Sequence, residues 1–381
     1  MLEYTAKHTL RIAKRHKNTK RTYLLVNPLQ AKHIPVSPTA SLNMMRCLGE
    51  NLAQKYLNTK LVIGFAETAT AIGAAVAGSL GGDCIYIHTT REEIPNVNNW
   101  LYFLEEHSHG VEQKICGDNI QEWLQNTPQI IFVDDELSTG KTIINIVDQL
   151  RRQYPALEGT RMIAASIMNH LTPENIERLT AAGIISEYLV KLPNVDYSAE
   201  LLDIETTPAK DITGAQNSSN KYSVLLSSEP FMNPRLGVYI GQYEESCSRI
   251  MKNAIVELTD LIQPDSNILV LGTEECMYPA LILGEELERQ SFARSVVCHS
   301  TTRSPIGICN RDGYPITEGY MLHSFYDMNR ETYLYELNHY NAVIVVSDTL
   351  NTEEAAIYDV AALLQSYGDS QLFFLRGGCH V

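Results

Sequence analysis

Short apolar runs recur along the first half of the chain, and each is followed by a stretch with helical spacing. Thr22–Val26, Leu61–Phe65, Cys84–His88, Ile130–Val133 and Met162–Ile167 are rich in β-branched and other apolar residues, which predicts strands. Between them Leu42–Tyr56, Ala69–Leu80, Lys141–Gln153 and Pro173–Ala182 show the period of helices, the last with Thr172 placed as an N-cap before Pro173. Strand and helix in alternation predict an α/β fold, Rossmann-like, with a mostly parallel sheet between layers of helix. From Thr206 to Lys221 the period dissolves into Thr, Pro, Gly, Asn and Ser. It resumes with strands expected at Asn267–Leu271, Ser295–His299, Ala342–Val346 and Leu372–Leu375. The pattern divides the chain into an α/β domain over 1–205, a linker over 206–221 and a second α/β domain over 222–381. A length of 381 residues is enough for two cores.

The two halves repeat. Leu61–Thr68 aligns with Leu269–Cys276, Thr89-Thr90-Arg91 with Thr301-Thr302-Arg303, and the strand before Asp134 with Ala342–Val346. The offset stays at about 210 residues through all three, which favours duplication of one fold over coincidence. The second domain therefore reads as a degenerate duplicate of the first.

Composition narrows the function. A net charge of −15 opposes a phosphate backbone, arguing against bulk nucleic-acid binding and leaving small anions, which need only a local positive site. The eight cysteines are scattered without a CxxC pair or metal-ligand spacing, as expected of reduced thiols in a cytoplasmic protein. No stretch is apolar for long enough to span a membrane. The basic segment Lys7–Arg21 lacks the apolar run of a secretory signal and reads as a solvated helix end.

The chemistry is concentrated at Ile130-Ile131-Phe132-Val133-Asp134-Asp135-Glu136-Leu137-Ser138-Thr139-Gly140-Lys141-Thr142. A buried strand delivers two carboxylates at its C-terminal edge, where open α/β sheets bind ligands. The following turn ends at a helix N-terminus, whose amides and dipole suit a phosphate; Gly140 permits close backbone approach, and the hydroxyls can donate. Two acids beside an anion cradle suit a sugar phosphate. A nucleotide P-loop is excluded, because it needs a glycine five positions before Gly140, where Asp135 stands.

This segment resembles the signature of type I phosphoribosyltransferases, enzymes that use 5-phosphoribosyl-1-diphosphate (PRPP) with Mg2+. The resemblance implies that Asp134 and Asp135 hold the ribose, directly or through hydrated magnesium carried mainly by PRPP. Ser138, Thr139, Gly140, Lys141 and Thr142 would hold the 5′-phosphate. Ala66, Glu67 and Thr68, which again follow a strand and open a helix, would lie with Arg91 on the pyrophosphate side. The aperiodic region Glu92–Gln113 corresponds to a mobile loop that closes over the reacting centre, which makes His107 and His109 candidate catalytic contacts. Lys32 and His33 are candidates for the acceptor pocket. Ser138 stands where the hypoxanthine-guanine branch has an aspartate, which disfavours purine salvage.

Over its full length the chain is similar to phosphoribosyltransferases that carry a C-terminal TRSP domain and are associated with bacterial tellurite-resistance and stress operons; the naming residues stand here as Thr302-Arg303-Ser304-Pro305. The resemblance implies transfer of phosphoribose to an unidentified acceptor with release of pyrophosphate, in making a nucleoside-like metabolite. A PRPP-binding regulator and a non-catalytic component of a biosynthetic complex are the alternatives, and a homodimer is open to the family. Arg303 is expected as a fixed cation for an anionic acceptor or for PRPP. In the second copy Glu353 and Glu354 replace Gly140 and Lys141, so that copy is not expected to bind PRPP in the same way.

Overall fold

The computed structural model describes residues 3–16, 21–103, 113–124, 127–214, 222–226, 229–349 and 354–377. The first half runs α1 (Ala6–Thr9), β1 (Arg11–Lys14), β2 (Tyr23–Val26), α2 (Pro38–Lys55), β3 (Leu61–Gly64), α3 (Thr70–Leu80), β4 (Ile85–His88), β5 (Trp100–Phe103), β6 (Gln113–Cys116), α4 (Ile120–Leu124), β7 (Gln129–Leu137), α5 (Lys141–Gln153), β8 (Arg161–Asn169), α6 (Pro173–Ala181) and β9 (Ile184–Lys191). The second runs β10 (Lys210–Asp211), β11 (Tyr222–Leu226), β12 (Val238–Tyr239), α7 (Ile240–Leu258), β13 (Asn267–Gly272), α8 (Tyr278–Arg289), β14 (Ser295–Ser300), β15 (Gly319–His323), β16 (Glu331–Tyr335), β17 (Ala342–Ser347), α9 (Glu354–Tyr367) and β18 (Gln371–Arg376).

Each half is built on a parallel sheet, in the orders β4-β3-β7-β8-β9 and β14-β13-β17-β18-β11. The orders match strand for strand, except that the far edge strand comes from the end of the first half and from the beginning of the second. Each half also carries an antiparallel hairpin, β5–β6 or β15–β16, between matching strands. In both, the residue two positions beyond the preceding strand, Thr90 or Thr302, bridges to the hairpin's second strand. The fold is α/β, and its second half repeats the strand order of its first.

The central strands are apolar on both faces because helices cover both. Ile130 to Val133 and Leu269 to Leu271 are wholly buried. α2 and α3 pack on α8 and α7 respectively, so one core runs through both halves, from Leu42, Leu48 and Val76 to Met251, Leu281 and Cys298. β12 lengthens the first sheet by pairing antiparallel with β4. The predicted cap is present, with the Thr172 hydroxyl accepting from the Asn175 amide at 3.3 Å and Pro173 opening α6. Among the described residues no helix is long and apolar enough to cross a membrane, and no disulfide joins the cysteines.

Three segments differ from their sequence reading. Lys7–Arg21 is not a solvated helix end: α1 stops at Thr9, and β1 pairs antiparallel with β2. Glu92–Gln113 is not wholly aperiodic, since Trp100–Phe103 pairs with Gln113–Cys116, while His107 and His109 lie outside the described residues. Within 206–221, Thr207 bridges to Ile308 and β10 adds to β15 in parallel. Four-residue strands beside charged residues carry too little periodicity to be read locally; their ladders come from partners elsewhere in the chain.

Candidate active site

A cavity of about 490 Å³ opens beyond the C-terminal ends of β3 and β7. Its wall brings together Ala66, Glu67, Thr68, Arg91, Asp134, Asp135 and the whole run Ser138 to Thr142, and the second half contributes Arg303, Ser304 and Pro305. Lys32 and His33, the candidates for the acceptor pocket, do not line it: both are buried in the body of the molecule.

β7 continues past Val133 to Leu137, pairing Asp134 with Ser166 and Glu136 with Met168 on β8, so the acids sit on a fixed strand. The Thr68 hydroxyl donates to Asp135 at 2.9 Å, tying the β3 loop to the β7 strand, and the Asp135 amide donates to Asp134 at the same distance. Burial, reinforced by the neighbouring Glu136, pushes the Asp135 carboxyl above its usual range. The chain then turns through Gly140 at φ 71°, a left-handed conformation that glycine adopts without penalty. Beyond it the amides of Thr142 and Ile143 precede the first intrahelical bond, Ile144 to Gly140 at 3.0 Å, and both residues line the cavity. Asn175 on α6 braces the turn by donating to the Ser138 carbonyl at 3.3 Å.

The loop after β3 is pinned through its carbonyls. Gln113 donates to that of Ala66 and Gln30 to that of Thr68, each at 2.7 Å, while the Ala66 amide donates to Thr89 at 2.8 Å. The amides of Glu67 and Thr68 meet no acceptor among the described residues and belong to residues lining the cavity. The peptide bond between Ala66 and Glu67 is cis.

The Glu67 carboxylate is turned away from the role expected for it. Oε1 accepts from the Thr302 hydroxyl at 2.6 Å and the Arg303 amide at 2.9 Å, and lies 3.2 Å from Lys32 Nζ. Burial acts to raise its pKa, yet Lys32 and Arg303 hold it down to about 2. Its charge is thereby taken up by Lys32, the Thr302 hydroxyl and the Arg303 amide. Lys32 also donates to the carbonyls of Glu274 at 3.0 Å and Thr301 at 2.9 Å, which makes it a tether between the halves.

Arg303, expected as a fixed cation for an anionic acceptor or for PRPP, is held in a cluster of carboxylates. Its Nε donates to Glu274 at 2.7 Å, its guanidinium pairs with Glu92, and Glu67 and Glu275 each lie 3.7 Å away. Arg330 joins the cluster through Glu92 at 2.9 Å and Glu274 at 3.1 Å. Burial acts to lower the Arg303 pKa, but Glu274 and Glu275 together with Glu67 and Glu92 raise it above its ordinary value. In the second copy, Arg235 sits between Glu275 at 2.7 Å and Asp348 at 2.5 Å, the counterparts of Glu67 and Asp135. The protein's own cation thus lies between the two repeated loops of this copy.

Residues not anticipated from sequence come from the β1–β2 hairpin: Arg15, His16, Arg21 and Leu24 line the cavity. Arg21 pairs with Glu136 at 2.5 Å, and His170 meets the same carboxylate oxygen at 2.5 Å. Burial acts to raise the Glu136 pKa, while Arg21 and His170 hold it down to about 2. The available signal was a pair of short apolar runs flanked by cations, too brief to separate from a helix end. Among the described residues no group of three His, Cys, Asp or Glu forms a metal cluster. Asp134 and Asp135 are the carboxylates placed to approach a hydrated ion that arrives with a substrate.

Residues 9–191 match the family model described as phosphoribosyl transferase, and residues 233–366 match the model described as the TRSP domain C-terminal to it. No curated protein matches the sequence. Similar solved structures include adenine phosphoribosyltransferase of Trypanosoma brucei in complex with AMP, pyrophosphate and ribose-5-phosphate, at 14% identity and TM-score 0.35, covering 49% of this chain and 76% of that one. Orotate phosphoribosyltransferase of Aeropyrum pernix has 20% identity and TM-score 0.28, covering 40% and 73%. The Giardia lamblia adenine enzyme has 17% identity and TM-score 0.35, covering 47% and 93%. These likenesses are distant, and the assignment rests on the two family models together with the cavity that their motifs line. The chain belongs to the phosphoribosyltransferases that carry a TRSP domain after the transferase domain.

Proposed function

We propose that this chain transfers the phosphoribosyl group of PRPP to a small acceptor in the cavity described above, releasing pyrophosphate and making a nucleoside-like product. The observation that carries the reading is the convergence of three segments distant in sequence, 66–68, 134–135 and 138–142, on one wall. Ser138 to Thr142 hold the 5′-phosphate at the start of α5, where helix amides favour an anion. Asp134 and Asp135 accept from the ribose hydroxyls. The amides of Glu67 and Thr68, with Arg91, face the pyrophosphate.

The acceptor meets the anomeric carbon beside the wall made by the β1–β2 hairpin and by Ser304 and Pro305, and the chain contributes chiefly by holding donor and acceptor in line. Asp134 and Asp135 would hold the hydration shell of magnesium arriving with PRPP, which would supply charge neutralisation for the departing pyrophosphate. In this reading the protein is cytoplasmic, the chain divides at 206–221, and the second half completes the acceptor end of the site.

The test is calorimetry of PRPP with magnesium, followed by a pyrophosphate-release assay against fractionated metabolites. Binding without release under any acceptor supports the regulator instead, and no binding removes both readings. Asp134→Asn with Asp135→Asn is expected to lower release by about 100-fold or more with an unchanged melting midpoint, because both acids stand at the cavity and carry no core packing. Wild-type release from the double variant removes the ribose assignment.

A further inference from the structure

We propose that the TRSP half acts as a built-in second subunit whose Thr302 is a positioning residue, setting the anion-binding shape of the Phe65–Thr68 loop through Glu67. The proposal rests on the reading that this loop holds the pyrophosphate of PRPP.

The halves dock reciprocally. Thr302 of the second half donates to Glu67 of the first at 2.6 Å, and Thr90 of the first donates to Glu275 of the second at 2.8 Å. The following backbone amides do the same, Arg303 to Glu67 at 2.9 Å and Arg91 to Glu275 at 3.4 Å. Glu67 and Glu275 occupy equivalent places in the repeat, as do Thr90 and Thr302. Equal contacts given and received are what a twofold interface between two copies produces, here fixed within one chain. The helices repeat the exchange, with α2 on α8 and α3 on α7.

The two ends of this arrangement are no longer equivalent. On the second-half side, Glu275 faces Arg235, and the space between the loops is occupied. On the first-half side, Glu67 belongs to a loop that lines an open cavity and offers two amides without acceptors. An anion at those amides requires that the carboxylate one residue away be held elsewhere and neutralised. Thr302, the Arg303 amide and Lys32 do both. Loss of the Thr302 hydroxyl leaves a buried carboxylate short of one donor, and its route to satisfaction is toward the cavity, where it opposes the pyrophosphate.

Calorimetry on the full chain with magnesium tests this with three ligands: PRPP, pyrophosphate and ribose 5-phosphate. Thr302→Val is expected to weaken PRPP and pyrophosphate by about tenfold, and Thr302→Ser to restore them. Ribose 5-phosphate, held by Ser138 to Thr142, is expected to bind as in the unaltered protein. Thr332→Val removes another buried hydroxyl of the same half, one that donates to the His323 carbonyl and does not touch Glu67, and should leave all three unchanged. Wild-type pyrophosphate binding by Thr302→Val overturns the proposal, as does equal weakening of all three ligands, which marks general loosening. If the unaltered protein binds ribose 5-phosphate but neither PRPP nor pyrophosphate, the reading of the loop itself fails.

Discussion

Gly140 shows how one residue fixes the turn proposed to hold the 5′-phosphate. Its φ of 71° is left-handed, and a Cβ built there would lie 2.9 Å from Leu179 on α6. Gly140→Ala therefore combines backbone strain of about 1–2 kcal/mol with a side-chain clash. The expected outcome is a lower melting midpoint together with loss of ribose 5-phosphate binding; a variant that melts and binds as the parent contradicts the cradle geometry. Glu67 and Arg303 teach the opposite lesson. Both are charged groups on the cavity wall, yet each is committed to a partner from the other half of the chain. Arg303→Ala therefore reads as removal of a buried cation from among Glu67, Glu92, Glu274 and Glu275, with loss of stability, before it reads as a test of acceptor binding.

The β1–β2 hairpin is the element that sequence reading misplaced, and it reaches the cavity through Arg15, His16 and Arg21. Its attachment to the sheet passes through the Arg21–Glu136 pair, whose side chains are 11% and 8% exposed. Removing Arg21 leaves the buried Glu136 carboxylate with His170 as its remaining partner, at a cost of about 3 kcal/mol. Arg21→Ala is expected to destabilise by this amount in urea unfolding, and adding Glu136→Gln to recover part of it, because the stranded charge is then gone. Additive losses from the two substitutions would mean that the pair does not hold the hairpin. The repeated hairpins, β5–β6 and β15–β16, show the same economy at larger spacing: each bridges back to the strand end that precedes it.

At the scale of the whole molecule, burial of ionisable groups makes stability depend on pH. His33, His88 and His299 are fully buried, and burial lowers their pKa to about 3, 4 and 4 from 6.5. Above 6.5 both folded and unfolded chains leave them neutral. Below it the unfolded chain takes protons that the folded chain refuses, so stability falls by up to about 1.4 kcal/mol per pH unit for each histidine. Glu67, Glu136 and Glu275, held at about 2 against an ordinary 4.5, contribute stability above 4.5 that is lost as pH falls toward 2. Calorimetric melting is expected to be flat between pH 7 and pH 8, to decline below 6.5 and to steepen below 4.5. A midpoint constant between pH 7 and pH 5 contradicts the buried neutral histidines.

Sequence alone determined the α/β class, the predicted core strands, the existence of a repeat, and the placement of the acid pair and glycine turn of 134–142 at one strand end. These are local properties: apolar runs set strands, spacing sets helices, and a strand end followed by a glycine turn sets the start of a helix with its free amides. It also named Thr302–Pro305, without saying where that string would lie. Only the tertiary structure decided that Arg303, Ser304 and Pro305 close the same cavity as Asp134 and Gly140, that Lys32 serves as a tether, and that the basic N-terminal segment is a hairpin on the cavity wall. The reason is physical. Whether a charged side chain meets a substrate or a countercharge depends on what the other half of the chain brings within about 4 Å, and no local pattern records that distance.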